Sequence, residues 1–161
     1  MKDASLASVQ HMTEIPDLVL NFVIPATNMA VRRMLHGLNL SLLANGLSDA
    51  DMEHVEIVLA EVLNNVVEHA YADRQRGSIA MVTRLKPHKL EIELIDTGAP
   101  MPNDQLPSGT LSAHDTADDD LPEGGFGWHL IRALTDRLDY VREKGQNRLT
   151  LHIPRTVGGL C

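Results

Sequence analysis

The stretch that most limits what this chain can fold into is Glu56–Tyr71, EIVLAEVLNNVVEHAY. Val55, Val58, Leu59, Val62, Leu63, Val66, Val67 and Ala70 recur at the i, i+3, i+4, i+7 spacing of a helix with one face in a core. The other side is not the long Lys/Glu mixture of a solvated face. It carries Glu61, Asn64, Asn65, Glu68 and His69, short groups able to chelate. Glu61, Asn65 and His69 are four apart, so helical geometry stacks them along one line beside the buried stripe. Asparagine is a poor helix former because its amide competes for nearby backbone groups. Two in succession therefore point to a site, although an amphipathic helix with incidental amides also fits the periodicity.

At 161 residues the chain is expected to form one domain with a real core. Aromatics make up only 3%, so that core must rest on Leu, Val, Ile and Met. A net charge of −8 with no offsetting Lys/Arg cluster argues against direct nucleic-acid binding. The single cysteine, Cys161, excludes a disulfide framework and a thiol metal site. The first residues lack a signal-peptide core, and no apolar run approaches the roughly 18 residues that span a bilayer. The expectation is a cytoplasmic protein with no membrane partner.

Read in order, residues 1–16 form a loose lead-in and residues 17–155 the domain, followed by a tail at 156–161. Leu18–Ile24 is β-branched and closed by Pro25, which reads as a strand. Asn28 is a plausible cap for a helix over Met29–Asn45, ended by Gly46. Ser48 and Asp51 form a capping box for the next helix, which runs to about Tyr71. Gly77–Lys86 and Lys89–Asp96 read as a hairpin, the second strand alternating Leu90, Ile92, Leu94 against Glu91, Glu93. Thr97–Gly124 has no periodicity and four prolines, too long for an ordinary connection. Gly125–Arg137 is a helix opened by glycines, and Leu138–Arg142 with Asn147–Ile153 make a closing hairpin. This order gives a single α+β two-layer sandwich, a mainly antiparallel sheet covered on one face by about three helices.

Two further stretches carry chemistry. In Asp96-Thr97-Gly98-Ala99-Pro100 an alternating strand ends in an acid followed by Gly and Pro. Such an Asp can accept a hydrogen bond from an exocyclic amine such as adenine's, and Gly98 lets backbone approach a planar ring. A plain turn is the competing explanation. In Gly124-Gly125-Phe126-Gly127 glycines lead into a helix, a design that offers free N–H groups to an anion at the positive end of the helix dipole. It is neither a Rossmann fingerprint nor a P-loop, and a hinge plus cap would look the same.

Together, in this order and spacing, the three stretches resemble the GHKL ATPase superfamily, the Bergerat-fold or histidine kinase-like ATPases. Glu61, Asn65 and His69 match the family's E-x-x-x-N-x-x-x-H box, Asp96–Pro100 its D-x-G-x-[GP] box, and Gly125-Phe126-Gly127 its G-x-G box. Ala70-Tyr71, RALTDRLDY and NRLTLHI are similar to the anti-sigma factor serine-kinase branch, and the likeness runs from about Leu18 to Pro154. The resemblance implies ATP and Mg²⁺ as cofactors, with Asn65 as the metal ligand and Glu61 as the catalytic base. It implies that Asp96 binds the adenine amino group with Gly98 beneath the ring, and that the backbone of Gly125 and Gly127 holds phosphates.

Residues 98–124 then become the ATP lid. It holds Asp104, Asp115, Asp118, Asp119, Asp120 and Glu123 with no Lys or Arg, so it is expected to stay open or face outward over a polyphosphate. The run DTADDD lacks the glycine and glutamate of an EF-hand. His36, His54, His88 and His152 are expected at the surface or its boundary, and His129 stands just past the glycines. The leading function is a protein serine/threonine kinase that phosphorylates an anti-sigma factor antagonist-like protein. A sigma factor or response regulator is a further partner, and a homodimer is admitted. The alternatives are an ATP-binding partner-switch module without phosphotransfer and the catalytic domain of a split histidine kinase.

Overall fold

The alternating rows of the sequence become a five-stranded sheet in the computed structural model, which describes residues 17–71, 77–110 and 125–156. The strands are β1 (Leu18–Pro25), β2 (Ser78–Leu85), β3 (Lys89–Asp96), β4 (Arg137–Glu143) and β5 (Gln146–Pro154), in the order β1-β2-β3-β5-β4. Every pairing is antiparallel. Three α-helices among the described residues, α1 (Asn28–Ala44), α2 (Asp49–Asn65) and α3 (Gly125–Ala133), complete the expected α+β architecture. The lead-in at 1–16 and lid residues 111–124 lie outside the described residues. None of the described helices is long and apolar enough to cross a membrane.

Period two decides which side of the sheet meets the helices. The inward row of β3 is Leu90, Ile92, Leu94 and Asp96, and that of β5 is Asn147, Leu149, Leu151 and Ile153, all buried. Against them α1 packs Val31, Met34, Leu38 and Leu42, while α2 packs Val55, Val58, Leu59, Val62 and Leu63. The core is aliphatic, as the composition requires, with Trp128 and Tyr71 its buried aromatics among the described residues.

Several boundaries differ from expectation for local reasons. Thr27, not Asn28, caps α1: it keeps an extended backbone and its hydroxyl accepts from the Ala30 N–H at 3.3 Å, whereas Asn28 is already helical. Helix α3 ends at Ala133 rather than Arg137. There the Thr135 hydroxyl takes the Ile131 carbonyl (2.7 Å), and the Asp136 N–H reaches the His152 carbonyl (2.8 Å), drawing the chain into β4. Helix α2 does continue toward Tyr71, but Val66–Ala70 form one π turn.

The capping box at α2 forms only in part. Ser48 accepts from the Asp51 N–H at 3.1 Å, but the Asp51 carboxylate turns to Thr156. Both its oxygens accept from the Thr156 N–H (3.0 and 3.2 Å) and hydroxyl (3.0 and 3.1 Å), so the end of β5 is tied to the start of α2. Burial works to raise the Asp51 carboxyl, yet hydrogen bonds from Ser48 and Thr156 and the nearby Arg155 charge hold it below its ordinary 3.8. A lowered native value means stability that is present above 3.8 and lost as pH falls through the native titration. Asp51→Asn should therefore cost about 1–3 kcal/mol near neutral pH. That gap to wild type should close as unfolding is measured at pH values from about 4 downward; a gap independent of pH would contradict the assignment.

Candidate functional site

The polar end of α2 is the first wall of the site. The Asn65 side-chain NH₂ donates to the Glu61 carbonyl one turn back (2.8 Å), which orients the amide along the helix. Its Oδ1 has no hydrogen-bond partner among the described residues, and Asn65 lines a cavity of about 510 Å³. The second wall is the end of β3. Asp96 is buried, and its Oδ1 accepts from the Gly98 N–H (2.7 Å) and the Asn147 NH₂ (2.9 Å). Its Oδ2 has no partner among the described residues, and Asp96 lines the same cavity. Two oxygens able to coordinate or accept thus meet in one space.

The rest of that space is mostly apolar: Val66, Leu94, Met101, Pro107, Trp128 and Leu149 contribute, with His69, Tyr140 and Asn147 as further polar groups. A concave, largely apolar pocket of this size with a few convergent polar groups suits a planar heterocycle with a polar edge. Trp128 serves both as core and as wall.

The remaining expected site residues stand outside the lining. Gly98 is a neighbour of the pocket, and its missing side chain has a structural cause. A Cβ there would lie 2.5 Å from the Ala70 carbonyl oxygen and 2.6 Å from the Ala70 Cβ. The close approach lets the Ala99 N–H reach that same carbonyl (2.8 Å), joining the turn after β3 to the end of α2. Contact with the helix end is thus by itself sufficient cause for glycine at position 98. Tyr71 adds a second tie, its hydroxyl donating to the Ser78 carbonyl (3.0 Å) and accepting from the Thr97 N–H (3.1 Å).

Glu61, one turn before Asn65, points at the first turn of α3. A Cβ on Gly127 would collide with its Oε2, so glycine at that position is what admits the carboxylate. Gly125 begins α3, where N–H groups of the first turn lack helical partners. The structure thus brings Asn65 and Asp96 to one cavity and sets Glu61 and Gly127 against each other beside it.

His129 meets the segment before residue 110. Its Nδ1 lies 3.2 Å from the Gly109 carbonyl, while Arg132 Nε donates to the Pro107 carbonyl (2.8 Å). These contacts hold the segment around Pro107 and Gly109 on α3, and Asp104 before it is exposed. Among the described residues no group of three or more His, Cys, Asp or Glu side chains is placed to hold a metal.

Sequence reasoning gave no role to Asn147, Tyr140 or Met101, although all three build the site. A signal existed for Asn147: it opens an otherwise apolar inward row, as Asp96 closes one, and the two are register partners.

A family model for the histidine kinase-like ATPase domain matches residues 24–153. This chain belongs to that family. Curated relatives place it in the anti-sigma factor serine-kinase branch of these ATPases. Proteins named serine-protein kinase RsbW from Bacillus cereus (strain AH820) and Bacillus anthracis (strain A0248) are each 33% identical over 113 residues, spanning 68% of this chain and 69% of theirs. The RsbW of Bacillus thuringiensis (strain Al Hakam) is 32% identical over the same span. The crystal structure of the RsbU and RsbW domains of Rv1364c from Mycobacterium tuberculosis superposes with a TM-score of 0.57 at 19% identity. It covers 87% of this chain, which spans 34% of that longer one, and the likeness carries the fold alone.

In this protein, Gly127→Ala separates folding from site geometry. Alanine favours a helix by up to about 1 kcal/mol over glycine, and the atom it meets is the free end of a flexible side chain. The variant should melt at or slightly above the wild-type temperature, with Glu61 swung away from α3 in its crystal structure. A destabilised variant with Glu61 unmoved would refute the contact.

Proposed function

We propose that this protein is a Mg-ATP-dependent serine/threonine kinase of the anti-sigma factor type, which phosphorylates an antagonist protein and thereby controls a sigma factor or similar regulator. One observation carries the reading. Asn65 Oδ1 and Asp96 Oδ2, without partners among the described residues, share a mainly apolar cavity, and the Glu61 carboxylate lies one helical turn from Asn65 against the start of α3. The printed names of the relatives, serine-protein kinases, support the same activity.

Asp96 would accept the adenine amino group through Oδ2, with Trp128, Leu94 and Leu149 as apolar walls. The donor set fits Mg²⁺, a hard cation that commonly takes one or two protein oxygens and completes its shell with phosphate oxygens and water. Asn65 would supply that oxygen, and the ion would neutralise charge on the phosphates. Glu61 would take the proton from a serine or threonine hydroxyl as its oxygen bonds to the terminal phosphorus and the bond to the bridging oxygen of ADP breaks. The N–H groups at the start of α3 offer hydrogen bonds to phosphate oxygens.

Labelled ATP, Mg²⁺ and an antagonist from a neighbouring gene test this directly. Glu61→Ala should keep ATP binding and lose transfer by roughly 10²–10⁴-fold, the usual share of a general base. Asn65→Ala should lose Mg-dependent ATP affinity by at least about tenfold. Transfer that survives Glu61→Ala unchanged would remove Glu61 as the base. ATP binding without transfer in the wild type would leave a partner-switch module instead of a kinase.

A further inference from the structure

Asn147 is 5% exposed, yet it stands in a row otherwise filled by Leu149, Leu151 and Ile153. A buried amide is tolerated when its donors and acceptor are met. Here they are met by parts of the site. Asn147 Oδ1 receives the Tyr140 hydroxyl (2.8 Å) and Arg142 Nη1 (2.6 Å). Its NH₂ donates to Asp96 Oδ1 (2.9 Å) and to the Ala99 carbonyl (2.9 Å), with the Gly98 carbonyl at 3.5 Å.

The orientation of this amide has only one solution. A guanidinium can only donate, so the atom beside Arg142 must be the oxygen. The Met101 N–H donates to the Tyr140 oxygen (3.0 Å), leaving the hydroxyl proton for the same Asn147 oxygen. The NH₂ is thereby forced toward Asp96. With the Gly98 N–H it loads both donors onto Asp96 Oδ1, and Oδ2 is the oxygen left toward the cavity.

We propose that Asn147 is the positioning residue for base selectivity: Tyr140 and Arg142 set its amide, and the amide sets which Asp96 oxygen meets the ligand. An acceptor held there takes an exocyclic amine and repels a keto oxygen at the same point. The same NH₂ holds the Ala99 carbonyl, so the first turn of the lid shares its anchor with the base-reading carboxylate. The proposal rests on Asp96 as the amine acceptor.

The test compares the affinity of the full chain for ATP and for inosine triphosphate, which carries a keto oxygen in place of the amine. Wild type should prefer ATP. Asn147→Asp keeps the shape and the acceptor for Tyr140 and Arg142 but sets an oxygen against Asp96, and Asn147→Ser removes the reach. Either folded variant should lower the ATP-to-inosine-triphosphate ratio by roughly tenfold or more, the effect of one misdirected buried hydrogen bond. General damage to the fold would weaken both nucleotides alike and leave the ratio in place. A wild-type ratio near one would overturn the Asp96 reading and this proposal with it. A selective wild type with an equally selective folded variant would overturn the role of Asn147 alone. Where Asn147→Asp does not fold, Asn147→Ser decides.

Discussion

The pair Asp96 and Asn147 is the constraint on which the rest of the site depends. Two inward rows, Leu90-Ile92-Leu94 on β3 and Ile153-Leu151-Leu149 on β5, run apolar side by side and then end in this one cross-strand pair. Up to that point the sheet and helices bury aliphatic side chains against one another. Beyond it the interior must satisfy a carboxylate and an amide, and burial of either alone would cost several kcal/mol. Each meets part of the other's hydrogen-bonding need, and the hairpin side chains Tyr140 and Arg142 meet most of the remainder. The single oxygen left over faces open space. A cavity with one directed acceptor is therefore a consequence of how the core terminates, not an addition to it.

The opposite wall is held to this pair by backbone contacts. The Ala99 N–H on the Ala70 carbonyl and the Tyr71 hydroxyl on the Thr97 N–H join the end of α2 to the turn after β3. Each bond is worth only about 0.5–1.5 kcal/mol to stability. Their larger effect is geometric, because Asn65 and Asp96 are thereby carried on one rigid body. Where chemistry depends on position, a shift of about 1 Å can cost a hundredfold in rate. Gly98 belongs to this argument: with any side chain, the two walls could not close to hydrogen-bonding distance.

Much of this was legible in the sequence because it rests on period and punctuation. The α2 stripe, the alternation of β3 and the glycines before α3 are local patterns, and the elements appear where those patterns place them. Glu61, Asn65, Asp96 and Gly127 lie within those patterns, and the family resemblance is what singles them out. What escaped depends on contacts across long separations. The value of Asn147 comes from Asp96, 51 residues earlier, and from Arg142 across a hairpin. Thr156 lies two residues past β5, 105 residues after the Asp51 it binds, and no local rule would turn Asp51 from its own helix cap toward it. The approach of a helix end to Gly98 was not legible either, since a ring and a helix end would demand the same absent Cβ.

Charge sets the last condition on the proposed reading. The chain carries −8 and would take a polyanion. The arginines nearest the described lid do not face the cavity: Arg132 is committed to the Pro107 carbonyl, and Arg142 to Asn147 and the Gly98 carbonyl. Neither lines the pocket. At the start of α3, where phosphate would be favoured by unpaired N–H groups, the Glu61 carboxylate already stands against Gly127. Phosphate and carboxylate at such close quarters repel strongly in a poorly solvated site. On the proposed reading, a divalent ion held through Asn65 would offset that repulsion. Charge neutralisation would then be what lets the Glu61 carboxylate and a phosphate share this end of the pocket.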